Sequence, residues 1–198
     1  ACVDNPRYVR KDFITLCSPI AGDLDTVFAG FKSTVRNEIR QAETAGVQFA
    51  VVDDLAEFVG YYNAFCKERG IGGTTTAKAR SLGSALVMTK AVHEGRTLAM
   101  HAYILDRELG RARLLWSASS RFDDSLKALV AKANRWLHFA DMKHLQALGC
   151  SVYDWGGIDP DSQDPGIVGI NRFKEAFGGV QVREYHYTPR WLGLFGGS

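Results

Sequence analysis

Apolar residues recur at Leu24, Val27, Phe28, Phe31, Val35, Ile39 and Ala42. That spacing marks one face of a helix, and Gly46 stands where such a helix stops. Residues 13–17 precede it as an extended stretch. Val47, Phe49 and Val51 then alternate with Gln48, Ala50 and Val52, as along a strand. A second helix opens at Asp54, with Glu57 three residues on in the spacing of a capping box. It carries Leu55, Phe58, Tyr62 and Phe65 and ends at Gly70. Thr74, Thr75 and Thr76 lead into a short helical stretch over 78–86. Three strand-like runs follow at 87–93, 97–106 and 112–118. Short turns at Glu94-Gly95 and around 108–111 join them, which predicts antiparallel hairpins. A long helix covers 126–148, with Leu129, Ala133, Trp136, Leu137, Ala140, His144 and Leu148 on one stripe and Gly149 as its stop. A strand at 151–155, a helix at 167–177 and a strand at 180–187 complete the pattern.

This order predicts an α+β fold with a mixed, mostly antiparallel sheet flanked by helices. The long helix between the third hairpin strand and 151–155 makes a crossover, which places those two strands in parallel. No repeat interrupts the chain, and its 198 residues fit one domain over 1–198. The formal net charge of +2 disfavours a general nucleic-acid binder, which usually carries a strong basic excess. Cys2, Cys17, Cys66 and Cys150 have neither zinc-site nor redox-pair spacing, so inert thiols in a reducing compartment are expected. No apolar run reaches the length of a membrane span and no signal pattern opens the chain. A cytoplasmic location is the expectation.

The run Tyr153-Asp154-Trp155-Gly156-Gly157-Ile158, followed by Gly169-Ile170-Asn171-Arg172-Phe173-Lys174-Glu175-Ala176-Phe177-Gly178-Gly179, resembles the FemABX family. Those are GNAT-like transferases that add amino acids to peptidoglycan precursors from aminoacyl-tRNA. The helix at 36–47 resembles the one opening that family's second GNAT-like subdomain. The run 133–138 resembles the helix before its Gly-Gly strand end. Together these motifs cover about 33–187 in the family's order. The chain departs in having room for one subdomain and no heptad-patterned helical hairpin. The resemblance implies an acyl or aminoacyl transfer onto an amine of a cell-envelope or surface-polysaccharide precursor, by direct attack.

Such a transfer needs a deprotonated amine, a polarised carbonyl and a donor held in reach. In a GNAT-like fold the donor lies where the strands flanking the long helix splay. Those strand ends bring Trp116, Ser117, Asp154, Gly156 and Gly157 to one cleft. Paired glycines at a strand end allow close backbone approach to a ligand, or make an ordinary tight turn. The resemblance puts Lys174 near the transferring carbonyl, for the oxyanion or a donor phosphate, with Arg172, Phe173 and Asn134 in the binding surface. A solvated lysine is the plainer alternative. His101, on the face of Ala99 and Tyr103, suits a base near neutral pH or a satisfied core histidine. A water held by Asp154 is the other candidate for proton removal. His138 and His144, six residues apart, share no face, and no metal is expected. Arg36 and Arg40 lie one helical turn apart and repel by roughly 0.2–0.5 kcal/mol unless an anion or Glu43 intervenes.

CoA-using GNAT enzymes cradle the pyrophosphate on a glycine-rich loop before the long helix. Here that place, 119–126, has no glycine, and Asp123 and Asp124 would repel a pyrophosphate. Either the donor is not CoA in the usual pose or Arg121 compensates. No tightly bound cofactor is expected. The donor is an acyl-CoA, an acyl carrier protein or an aminoacyl-tRNA, and the acceptor a small-molecule or lipid-linked amine. The competing expectation is a catalytically silent GNAT-like module that binds a sugar nucleotide or a protein partner.

Overall fold

The computed structural model describes residues 5–119 and 126–191. The elements are β1 (Tyr8–Pro19), α1 (Leu24–Ala29), α2 (Ser33–Thr44), β2 (Gln48–Val51), α3 (Leu55–Arg69) and α4 (Thr76–Ser81). They continue with β3 (Leu86–His93), β4 (Arg96–Asp106), β5 (Arg111–Ser119), α5 (Lys127–Ala147), β6 (Val152–Ile158), α6 (Pro165–Glu175) and β7 (Val180–Pro189). The strands form one sheet in the order β2-β3-β4-β5-β6-β1-β7. Neighbours run antiparallel except β5 and β6, which are parallel as the α5 crossover requires. The mixed, mostly antiparallel sheet flanked by helices is the arrangement expected from the sequence. Among the described residues no helix is long and apolar enough to cross a membrane. Cys17, Cys66 and Cys150 are free thiols.

Local signals act where the sequence puts them, with two changes. Asp54 caps α3 by accepting from the Ala56 N–H at 2.7 Å, and Gly70 ends it at φ 64°. Glu57 is used otherwise than in a capping box: its carboxylate meets Lys90 on β3. The apolar run from Leu24 to Ala42 is two helices with a turn at Gly30. Its phase survives the break because Phe28 and Phe31 converge on Phe139 of α5, with ring centroids 4.8 and 5.7 Å away.

The sheet is covered on both faces. Helices α1, α2 and α5 pack on one, burying Phe31, Ile39, Tyr103, Leu137, Trp155 and Phe177. Helices α3 and α4 pack on the other over Met88, Met100, Ala102 and Trp116. Each phenylalanine wholly removed from water, such as Phe31 or Phe58, contributes about 1.5–3 kcal/mol.

Strands β5 and β6 pair only over Arg111–Arg113 and Val152–Asp154, and then part. Two bulges shape this opening. Tyr103 faces Leu114 while Ala102 faces Trp116, so Leu115 is an extra residue in β5. It reverses the alternation, turning Trp116 to the α3 face and leaving Ser117 opposite His101 on the α5 face. In β6, Cys17 faces Asp154 and Thr15 faces Gly157, so Trp155 and Gly156 stand against one residue of β1. Gly156 lies in the left-handed region at φ 74°, which costs an L side chain about 1–2 kcal/mol. A Cβ there would also stand 3.3 Å from the Leu114 carbonyl oxygen.

Candidate active site

Where β5 and β6 part, α6 delivers Lys174. Asp164 caps that helix through the Gly166 and Ile167 N–H groups, and Pro165 begins it. Phe173 and Phe177 pack inward, 5.5 and 5.6 Å from the His138 ring. Lys174 is left half-buried, its Nζ donating to the Gly157 carbonyl at 2.7 Å. The bulge at Gly156 aims that carbonyl. Burial pulls the Lys174 pKa below the ordinary lysine value, and the nearby Asp154 charge offsets part of this. The result is a fixed ammonium in a partly dried cleft, suited to a developing oxyanion.

On the α5 face a hydrogen-bonded chain runs beneath the cleft. His101 Nδ1 meets Asp141 Oδ2 at 2.7 Å, and His101 Nε2 meets the Asn134 side chain at 3.0 Å. The Tyr103 hydroxyl donates to Asp141 Oδ2 at 2.6 Å and lies 2.8 Å from the Tyr153 hydroxyl. Tyr153 in turn meets His138 Nδ1 at 2.6 Å. The two tyrosines arch across β5 beside Ala112, which is opposite Tyr153. The pair His101 and Asp141 is fully enclosed, and His138 is 1% exposed. Burial, then the fields of His101, Lys174 and Arg135, hold the His138 pKa well below that of a free imidazole. Burial and Asp141 push the Tyr103 hydroxyl well above its usual value, so it stays protonated. Asp141 Oδ1 has no hydrogen-bond partner.

The opposite face carries ions instead. Asp154 Oδ1 accepts from the Thr15 hydroxyl and from the Gly156 N–H at 2.9 Å. Its Oδ2 accepts from Arg111 at 2.6 and 3.0 Å and from Arg113. Glu184 of β7 closes the cluster by pairing with both arginines. Burial works to raise the Asp154 pKa, but the bonds from Thr15, Arg113 and Gly156 outweigh it and hold the carboxyl low. Beside this cluster lies an open groove of about 740 Å³ whose wall includes Arg107, Glu108, Arg111, Arg113 and His186.

The remaining expected residues divide. Asn134, Ser117, Phe173, Gly157 and Lys174 come to the α5 side of the opening. Gly156 serves the bulge. Trp116 does not reach the cleft: the bulge at Leu115 buries it against Phe58 and Tyr62, at 6.0 and 5.9 Å. Asp154 has both oxygens committed and holds no free position for a water. His101 is enclosed, and both its ring nitrogens are bonded within the protein, to Asp141 and Asn134. Arg36 donates to the Ala29 carbonyl at 2.8 Å and to the Phe31 carbonyl, closing the end of α1. Arg40 lies over the Phe28 ring at 5.4 Å. The repulsion expected between this pair is thus relieved within the protein. Arg172 is exposed on α6, and Arg121 lies outside the described residues.

His101, His138 and Asp141 place ligand-type atoms within 4.8 Å of one another. The imidazoles stack at 4.0 Å with 28° between planes. Their in-plane lone pairs therefore run alongside rather than converge, which suits hydrogen bonding better than chelation. From the sequence, Tyr103, Asp141 and Tyr153 take no role and His138 is weighed as a metal ligand alone. Their signal is Asn134, His138 and Asp141 at i, i+4 and i+7 on one helix, a polar stripe within an apolar one.

No family model and no curated protein matches the chain. Solved structures do. FemX aligns over 97% of this chain and 65% of its own, with a TM-score of 0.75 and 14% identity. The C-terminal domain of a provisionally named lysylphosphatidylglycerol synthetase from Agrobacterium fabrum aligns over 91% and 61%, at 0.64 and 14%. L-PGS from Bacillus licheniformis aligns over 92% and 62%, at 0.61 and 12%. The chain thus spans just under two thirds of each of these solved chains, and at such identities the likeness is one of fold. A parting pair of parallel strands, a crossover helix beneath it and an overall match to FemX together give this chain a FemABX-like, GNAT-type fold.

Proposed function

We propose that the chain moves an acyl or aminoacyl group onto an amine of a cell-envelope or surface-polysaccharide precursor. The observation that carries this is the Lys174 ammonium, tethered to the Gly157 carbonyl where β5 and β6 part. A donor carbonyl placed there meets a fixed positive charge in a partly dry setting, which favours the tetrahedral oxyanion over the planar ester or thioester. The acceptor amine attacks that carbon directly, with no acyl-enzyme. Among the described residues Cys17 is bonded by Arg111, and burial raises its pKa, so it is a poor nucleophile.

The likeness to a protein named for lysylphosphatidylglycerol synthesis supports an aminoacyl group as the cargo. The absence of glycine from 119–126 also favours an aminoacyl-tRNA or acyl carrier protein over CoA. The mixed-charge groove beside Arg111 and Arg113 suits a polar, extended acceptor. The test is to incubate the protein with each donor and a panel of amine-bearing envelope precursors, and to seek the amide by mass spectrometry. Amide with one donor, and none with Lys174→Met, is the expected result. An acylated protein after mixing with donor alone would overturn direct attack.

A further inference from the structure

The attacking amine must lose a proton, and both ring nitrogens of His101 and both oxygens of Asp154 are already bonded within the protein. The chain of hydrogen bonds under α5 points elsewhere. Tyr103 gives its hydroxyl proton to Asp141 Oδ2. A hydroxyl has one hydrogen, so the bond between the two tyrosines is donated by Tyr153. The Tyr153 oxygen is then only an acceptor toward His138, and His138 carries its proton on Nδ1. The lone pair of that ring is then on Nε2. A buried carboxylate thus sets the tautomer of an imidazole two tyrosines away.

We infer that His138 Nε2 receives the proton of the acceptor amine, an inference that rests on the transferase reading above. The new N–C bond forms as the carbonyl electron pair moves to the oxygen beside Lys174. The N–H proton passes to His138 Nε2. The oxyanion pair then returns, the bond from the carbon to the leaving oxygen or sulfur breaks, and that atom takes the proton back from His138. No other reactant is needed. Phe173, half-buried against His138, has to swing aside for the proton to pass.

The groups facing His138 agree with this role. From β4 comes His101, stacked at 4.0 Å, and from β6 come Tyr153 and Trp155. From α6 come Lys174, Phe173 and Phe177, and from α5 itself Arg135 and Asp141. Burial first, and then the positive charges among them, disfavour an imidazolium, so neutral Nε2 is present at neutral pH. Activity should fall as pH drops through the His138 value, which lies below 6.5. It should fall again as pH rises through the Lys174 value, below 10.5.

Two measurements test this. Nitrogen-15 NMR of the imidazoles in the wild-type protein should show His138 as the Nδ1–H tautomer. An Nε2–H tautomer would overturn the inference whether or not an activity is found. In the transfer assay, His138→Asn keeps an N–H for Tyr153 and removes Nε2. Its kcat should drop about 10²–10⁴-fold, with the acid limb of the pH profile gone and KM unchanged. An unchanged rate would overturn the inference. Should that variant not fold, Tyr153→Phe takes its place and should lose the single tautomer and shift the acid limb. A wild-type protein that acylates no amine would overturn the transferase reading, and the tautomer would still decide the hydrogen-bond argument.

Discussion

The two faces of the sheet near the parting strands use polar groups in opposite ways. On the β1–β7 side, Asp154 and Glu184 against Arg111 and Arg113 form a saturated ionic cluster. On the α5 side, two histidines, two tyrosines, an asparagine and an aspartate form a proton-ordered chain, with Asp141 Oδ1 unpartnered. Saturation fixes shape, and the cluster braces the last paired residues of β5 and β6. Incomplete satisfaction leaves room for chemistry. A carboxylate in a conspicuous motif is therefore the structural one here, and the reactive candidates sit in the less conspicuous helix.

The comparison breaks most visibly at Asp154. Asp154→Ala leaves the two guanidinium groups with Glu184 as their remaining partner and the Thr15 hydroxyl without its acceptor, and should cost about 1.5–3 kcal/mol in urea unfolding, the scale of hydrogen bonds to a charged group. A small loss would mean the cluster is no brace. Next, Lys174→Met should lower kcat about 10²–10³-fold, as loss of an oxyanion donor does, while melting stays close to wild type. Gly156→Ala should cost about 1–2 kcal/mol through its φ of 74° and should weaken turnover by displacing the Gly157 carbonyl. The smallest effect is at exposed Arg172. Arg172→Ala should change stability by less than about 0.5 kcal/mol, so a loss in donor or acceptor KM would mark a binding role.

Acid separates the faces further. The Asp154 carboxyl has its folded pKa held below 3.8, so its contribution is complete above that value and is lost as pH falls through the folded value. The stability gap between wild type and Asp154→Asn should therefore narrow below pH 3.8, as urea titrations at stepped pH would show. His101→Gln should leave that acid dependence untouched.

Much of the fold was legible because it is written in short-range signals. Alternation marked β2, strand-like runs between short turns marked β3, β4 and β5, and Asp54 with Gly70 bounded α3. The turn at Gly30 was hidden because Phe28, Phe31 and Val35 keep one phase across it, and periodicity registers phase rather than continuity. Trp116 was misplaced because a bulge at Leu115 inverts alternation, and no local residue type announces it. Arg36 was open to a ligand role because bonds from a guanidinium to distant carbonyls leave no spacing rule. Lys174, Gly157 and Asn134 came from motif resemblance, and the structure adds how they are held. The chain through Asp141, Tyr103 and Tyr153 joins β4, α5 and β6, so it exists only once those elements are packed.

The most direct test of the account is single-turnover transfer, with wild-type protein and Lys174→Met each mixed with an aminoacyl-tRNA and an amine-bearing envelope precursor. The account predicts an amide from the wild type, formed at least about 10²-fold more slowly by the folded variant. Equal rates from the two proteins, or binding of both substrates with no amide from either, would contradict it.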